Sequence, residues 1–85
     1  MMSWFVYILR CADDTLYTGI TTDCARRVVQ HNSGKGAKYT RNRTPVTLIY
    51  NETSDSRSSA SVREYQIKRL TRKQKLALIA EQKKT

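Results

Sequence analysis

The sequence predicts an α+β fold, a three-stranded, mainly antiparallel sheet flanked by helices in the order β-β-α-β-α-α. Three observations predict it. Trp4–Ile20, WFVYILRCADDTLYTGI, sets two apolar runs, Trp4–Leu9 and Leu16–Ile20, on either side of a polar turn. β-Branched and aromatic residues around turn formers signal a hairpin. Val46–Thr53, VTLIYNET, alternates Val46, Leu48 and Tyr50 with Thr47, Ile49 and Asn51, as a third strand does. The remaining stretches carry helix caps rather than strand patterns. The first strand's near-continuous apolar run suits burial on both faces, which places it in the middle of the sheet.

The hairpin register depends on its loop. A two-residue Asp13-Asp14 turn would put Tyr7 and Tyr17 on opposite faces, since side chains alternate along a strand. A three-residue loop, Ala12-Asp13-Asp14, pairs Cys11 with Thr15 and puts both tyrosines on one face. It requires a left-handed third residue, which Asp tolerates better than most. This second register is the expectation, with Tyr7 facing Gly19 and Tyr17 its diagonal neighbour.

Thr21-Thr22-Asp23 then caps a helix running to about Asn32. Ala25, Val28 and Val29 are its expected apolar stripe, and Arg27 and His31, four apart, share another face. Gly34 marks the C-cap region. Residues 33–45 form a loop or a single helical turn studded with Lys35, Lys38, Arg41 and Arg43 around Tyr39, stopped by Pro45. After the third strand, Ser54-Asp55-Ser56 is a turn. A helix runs from about Ser58 to Leu70 with Ala60, Ile67 and Leu70 facing the core. Thr71-Arg72-Lys73-Gln74 is a capping box that starts a last helix to about Gln82, edged by Leu76, Ile79 and Ala80. Lys83-Lys84-Thr85 is expected to fray.

The 85 residues, without repeats or a dividing linker, make one domain, residues 1–85. A chain this short needs nearly all its apolar residues for one core. Sixteen Lys and Arg against seven Asp and Glu give a net charge of +9. Such a balance favours a polyanionic partner, nucleic acid ahead of an anionic membrane. Cys11 and Cys24 show no CxxC or zinc spacing and read as packing residues in a reduced, cytoplasmic setting. No apolar run approaches the roughly 20 residues of a membrane span, and the N-terminus lacks the pattern of a signal peptide. A monomer is the default.

Five residues could carry chemistry: Tyr7, Tyr17, Arg27, His31 and Glu64. Taken singly, each has an ordinary role. Strand tyrosines pack with a wet hydroxyl, Arg27 belongs to a solvated face or a plain phosphate contact, and a histidine near a helix end caps it. Glu64 could close a capping box with Ser61 or pair with Lys68 one turn on. Together they suit phosphodiester hydrolysis, which needs a proton acceptor for water, a cation and fixed positive charge. Magnesium takes as few as one protein carboxylate, so Glu64 could suffice. Arg27 offers a planar fork to a phosphate. A tyrosine base is unusual, because a phenol of pKa near 10 would have to be lowered by a metal-bound water, Arg27 or a lysine.

Phe5-Val6-Tyr7, then Tyr17-Thr18-Gly19, Arg27, His31 and Glu64 resemble the GIY-YIG nuclease superfamily over nearly the whole chain. HNSGKGAKYTRNRTPV and SVREYQIKRLTRKQK look like its small stand-alone bacterial branch, typified by YhbQ and YazA. FVY and YTG replace the eponymous triplets but keep both tyrosines and the second glycine, Gly19, as the structural glycine of the site. The resemblance implies a metal-dependent endonuclease using a single divalent ion, Mg2+ or Mn2+. Glu64 would be its ligand, Tyr7 the base and Tyr17 a polarising partner. Arg27 would hold the phosphate, and His31 would relay a proton or support a tyrosine hydroxyl. Many larger relatives add a C-terminal asparagine and a DNA-targeting domain, and this chain has no asparagine after Asn51.

Binding would then rest on Arg27, Lys35, Lys38, Arg41, Arg43 and Lys68, with DNA preferred to RNA. Tyr39 either packs the loop down or stacks on an unpaired base. The expected function is DNA phosphodiester hydrolysis in repair or turnover. The alternative is a weakly catalytic nucleic-acid-binding module recruited by a partner. A surface-active basic peptide is disfavoured, because a mixed α/β core consumes the apolar residues.

Overall fold

The strand β1 (Trp4–Arg10) organises the molecule, a computed structural model that describes residues 3–83. It lies between β2 (Leu16–Thr21) and β3 (Thr47–Ser54) in a sheet of order β2-β1-β3, antiparallel to both. The helices are α1 (Cys24–Asn32), α2 (Arg57–Lys68) and α3 (Arg72–Lys83). The architecture and the central position of β1 match the expectation. None of the described helices is long and apolar enough to cross a membrane.

The hairpin adopts the three-residue loop. The Cys11 N–H donates to the Thr15 carbonyl at 2.8 Å, and Asp14 takes the left-handed conformation at φ 67°. The Asp13 carboxylate braces the turn by accepting from the Thr15 hydroxyl at 2.6 Å. Tyr7 therefore lies opposite Gly19, and Leu9 opposite Tyr17.

Alternation along β1 splits the core in two. Val6 and Ile8 pack with Tyr50, Ala60, Ile67 and Ile79, under α2 and α3. Tyr7 and Leu9 point the other way and pack with Cys11 and Val46, alongside Tyr17, Cys24, Val28 and Leu48 on the side of α1. Cys11 and Cys24 are both free thiols. An Arg63–Glu52 ion pair, 2.9 Å, fastens α2 to β3, and Tyr50 donates to the same carboxylate oxygen at 2.9 Å.

The simple alternation expected over 46–53 is corrected by a β-bulge. Ile8 pairs with Tyr50 but Leu9 pairs with Leu48, so Ile49 has no partner on β1. The extra residue shifts the phase: Leu48 joins the α1 face while Tyr50 and Ile49 pack on the α2 face. The strand itself starts at Thr47, one residue later than expected, and takes in Ser54.

The helix faces also differ in detail from the expected stripes. On α1, Val28 faces the sheet as expected, but Ala25 is exposed and Val29 is 67% exposed; Cys24 and His31 take their place. The polar His31 carries the buried face, which a count of apolar residues passes over. Ser56, rather than Ser58, caps α2 by accepting from the Ser59 N–H at 3.1 Å, and Leu70 falls beyond the helix, half-buried. The Thr71–Gln74 capping box forms as expected, with reciprocal bonds of 2.9 and 3.2 Å. On α3, Leu78 joins Ile79 in the core, whereas Leu76 is 44% exposed and Ala80 is exposed. Lys83 still belongs to α3, and the remaining two residues of the expected frayed end, Lys84 and Thr85, lie outside the described residues.

The end of α1 is fixed twice. Gly34, at φ 82°, donates to the His31 carbonyl at 3.1 Å while Lys35 donates to Gln30 at 2.9 Å, the paired bonds of a Schellman cap. Asn32 then mimics a strand neighbour for Val46, accepting from its N–H at 2.7 Å and donating to its carbonyl at 3.2 Å.

Candidate active site

On the α1 face of the hairpin, Tyr7 and Tyr17 lie with ring centroids 6.4 Å apart, as the register requires. Gly19 makes this possible. A β-carbon there would come within 2.6 Å of the Tyr7 hydroxyl and 3.2 Å of the Tyr17 ring. The space beside the glycine is the space the phenols fill.

The third member is His31, fully buried at the end of α1. Its Nε2 lies 2.9 Å from the Tyr7 hydroxyl and its Nδ1 lies 2.7 Å from the Thr40 hydroxyl. The Thr40 hydroxyl donates to the Ala37 carbonyl at 3.0 Å, so it accepts from Nδ1–H, and Nε2 accepts from Tyr7. The Ala37 N–H approaches Nδ1 at 3.4 Å and favours the opposite tautomer, but the shorter bonds outweigh it. Tyr7, His31 and Thr40 thus form one buried chain. Gly36 lies against the imidazole so closely that any β-carbon would overlap the ring and approach the His31 Cα within 2.8 Å.

Arg27, one turn before His31, supplies the charge. It donates to the Gln30 side chain at 3.0 Å and lies within reach of the Tyr7 hydroxyl. Burial pushes the Tyr7 phenol up to about 12, and the smaller opposing pull of Arg27 does not restore it. Arg27 by itself therefore does not lower the phenol as a standing phenolate base would need. Burial, reinforced by Arg27, lowers the His31 imidazole below its ordinary value and keeps it neutral near pH 7.

Glu64 stands apart. It lies between Ala60 and Ile67 on the sheet-facing side of α2, with its side chain 23% exposed and paired to Lys68 at 3.2 Å. α2 covers the Val6–Ile8 face, whereas Tyr7 points toward α1. Among the described residues no hydrogen bond or ion pair joins Glu64 to Tyr7, Tyr17, Arg27 or His31. The two faces communicate at the free edge of β2, where α2 also packs. Nor do three or more His, Cys, Asp or Glu residues converge on a metal site among the described residues. A lone, partly open carboxylate fits a hydrated Mg2+ or Mn2+ ion whose other ligands are water and phosphate oxygens.

Among the basic residues expected to meet nucleic acid, Arg43 is engaged internally. It pairs with Asp13 at 3.0 Å, donates to the Tyr39 carbonyl at 2.8 Å, and lies over the Tyr39 ring at 4.1 Å. Tyr39 stacks on Tyr17 with centroids 5.9 Å apart, so it packs the loop over the site. Lys68 is held by Glu64, while Lys35, Lys38 and Arg41 form no ion pair among the described residues. The sequence reading passed over Thr40, Gly36 and Gln30. None stands in a recognisable motif; a small residue in the segment following a helical histidine is the one available signal.

The comparisons agree with this geometry. The model of the GIY-YIG catalytic domain matches residues 3–77. A UPF0213 protein of the bacterium Desulfotalea psychrophila is 60% identical over 91% of this chain and 71% of its own. One from Halobacterium salinarum is 62% identical over 86% of this chain and 95% of its own, so such relatives extend to archaea. The solution structure of a UPF0213 protein from Bacillus halodurans shares 47% identity and a TM-score of 0.60, covering 93% of this chain and 84% of that one. The solution structure of a protein from E. faecalis shares 39% identity and a TM-score of 0.62, covering 96% of this chain and 88% of that one. With the paired tyrosines, Gly19, Arg27 and His31 gathered on one face of the hairpin, this chain belongs to the GIY-YIG family of nuclease domains.

Proposed function

We propose that the protein is a metal-dependent nuclease that hydrolyses phosphodiester bonds in DNA, in repair or turnover, as a cytoplasmic monomer. The observation that carries this is the buried Tyr7–His31–Thr40 chain beside the Arg27 guanidinium. Arg27 binds the non-bridging oxygens of the phosphate through paired, charge-assisted bonds. Gln30 fixes the guanidinium's orientation. With a pKa of about 12, Tyr7 acts as a neutral relay: its hydroxyl passes a proton to His31 Nε2 while it accepts one from the attacking water. Thr40 holds the tautomer in which Nε2 is free to receive it. Arg27 is one of the two causes that lower the imidazole, and a bound phosphate offsets that charge. Tyr17 completes the phenol pair. A divalent ion held by Glu64 would supply charge neutralisation on the phosphate and a more acidic water.

One observation favours a second reading, a binding module of the same fold with little activity: among the described residues the Glu64 carboxylate forms no hydrogen bond or ion pair with the tyrosine cluster. Plasmid and single-strand cleavage in Mg2+, with and without EDTA, separates the two. Expected are loss of cleavage in EDTA and in Glu64→Gln, and at least a hundredfold loss in Tyr7→Phe. Cleavage by Glu64→Gln as fast as by the parent overturns the metal role. Binding without cleavage by every form selects the second reading.

A further inference from the structure

We infer that the groove beside Arg27 is a pocket for an unpaired nucleobase next to the cleaved phosphate, with Trp4 as its stacking wall. The proposal rests on the nuclease reading only for the position of that phosphate. The groove holds about 290 Å³, and its walls include Trp4, Ile20, Asp23, Arg26, Arg27 and Gln30. This is the small end of ligand clefts, enough for a nucleotide and too little for a duplex.

Arg27 belongs to both places. It lies beside the Tyr7 hydroxyl on one side, and it lines the groove on the other. A phosphate held there presents its neighbouring nucleoside to the groove. The wall chemistry suits a base rather than a second phosphate. Trp4 and Ile20 offer apolar surface that a phosphate cannot use, and every base has a face that stacks on an aromatic ring. Gln30 spends its oxygen on Arg27 and keeps its amide N–H groups as donors. Asp23 caps α1 by accepting from the Arg26 N–H at 3.0 Å, and its carboxylate can accept from a base N–H, the thymine imide included, while repelling a phosphate. Alternation puts Trp4 on the Val6 face of β1, so the groove wraps from the α1 side to the α2 side at the end of the hairpin. The Arg57 guanidinium lies over one face of the Trp4 ring at 5.8 Å, looser than the 4.1 Å of Arg43 over Tyr39, and adds positive charge there. Tyr39, the other stacking candidate, is already covered by Arg43 and Tyr17. A base inside a duplex cannot reach such a wall, so the inferred substrate class is single-stranded DNA or a frayed or flapped end.

Trp4 is the sole tryptophan, so its fluorescence reports the groove directly. The full chain in EDTA is titrated with three probes: an oligothymidylate of about 12 nucleotides, an abasic phosphodiester of the same length and a blunt duplex. Expected is quenching by oligothymidylate and by neither of the others. By anisotropy, Trp4→Phe retains oligothymidylate binding, whereas Trp4→Ala weakens it about tenfold and leaves abasic binding unchanged. Because Trp4 also packs on the core, circular dichroism of Trp4→Ala is measured as well and is expected unchanged, so that retained abasic binding and retained binding by Trp4→Phe separate lost stacking from lost fold. Oligothymidylate binding without quenching, equal loss for both oligomers, or no binding at all overturns the pocket. Quenching with no Mg2+-dependent cleavage of any substrate leaves the pocket standing and overturns the nuclease; cleavage without quenching does the reverse.

Discussion

Replacing Gly36 by alanine tests the buried chain at its tightest contact. Gly36 does not need a left-handed backbone, so shortening the list of unfolded conformations would by itself stabilise the protein by about 0.4–1 kcal/mol. Against this, the new methyl overlaps the His31 ring and approaches its Cα within 2.8 Å, so neither a rotamer change nor a small ring tilt suffices. Overpacking of this kind costs about 1–3 kcal/mol. Displacing the imidazole also breaks its bond to Tyr7 or to Thr40, leaving a buried polar group unpaired at about 1–3 kcal/mol more. The net expectation is a loss of about 1–5.6 kcal/mol, centred near 3, which at the centre is a fall in Tm of about 12–24 °C for a domain of this size. Urea unfolding followed by far-ultraviolet circular dichroism measures it. Gly34→Ala is the control: its φ of 82° is strained for alanine but its surroundings are open, so the cost there is about 1–2 kcal/mol. A Gly36→Ala protein as stable as the parent, or less affected than Gly34→Ala, would refute the packing that holds His31 in place.

His31 also sets an acid limit on stability. Its folded pKa is lowered, so below about pH 6.5 the unfolded chain binds a proton that the folded one resists. Stability is complete above that point and falls with decreasing pH by up to about 1.4 kcal/mol per unit, until the folded imidazole titrates. Urea midpoints measured across the acid range should show this slope in the parent and not in His31→Gln. The loop cations should separate by salt dependence. Arg41→Ala is expected to reduce the slope of log K against log salt on duplex by about 0.9, and Arg43→Ala to leave it nearly unchanged while loosening the loop. Equal slopes for the two variants would contradict the internal role of Arg43.

How far the sequence reaches depends on whether a feature is local. The hairpin was legible because its loop length and the left-handed tolerance of Asp14 decide the register, and the register decides that Tyr7 faces Gly19. The capping box at Thr71 was legible for the same reason. The β3 bulge was not, since the unpaired Ile49 is visible only against β1. The stripe of α1 departs from an apolar count because its most buried member is a histidine, made tolerable by the hydroxyls of Tyr7 on β1 and Thr40 in the following loop. Of the five candidate residues, four converge and Glu64 comes from the opposite side of the sheet, a relation that spacing along the chain cannot express. The tyrosine's acidity likewise depends on burial by several elements, and its direction is the reverse of what a phenolate base requires.

The unpaired Ile49 has a consequence for how the chain can vary. Below it β3 serves the side of the tyrosines, above it the side of the paired helices, so one ribbon supplies two compartments by slipping half a pleat. Side chains on either stretch can be exchanged for others of like size. Drawing Ile49 into the ladder at unchanged length would restore strict alternation and send Leu48 and Tyr50 toward the same compartment, whereas deleting Ile49 itself would keep them on opposite ones. The offset between its two halves, more than the side chains on either, is what this segment has to keep.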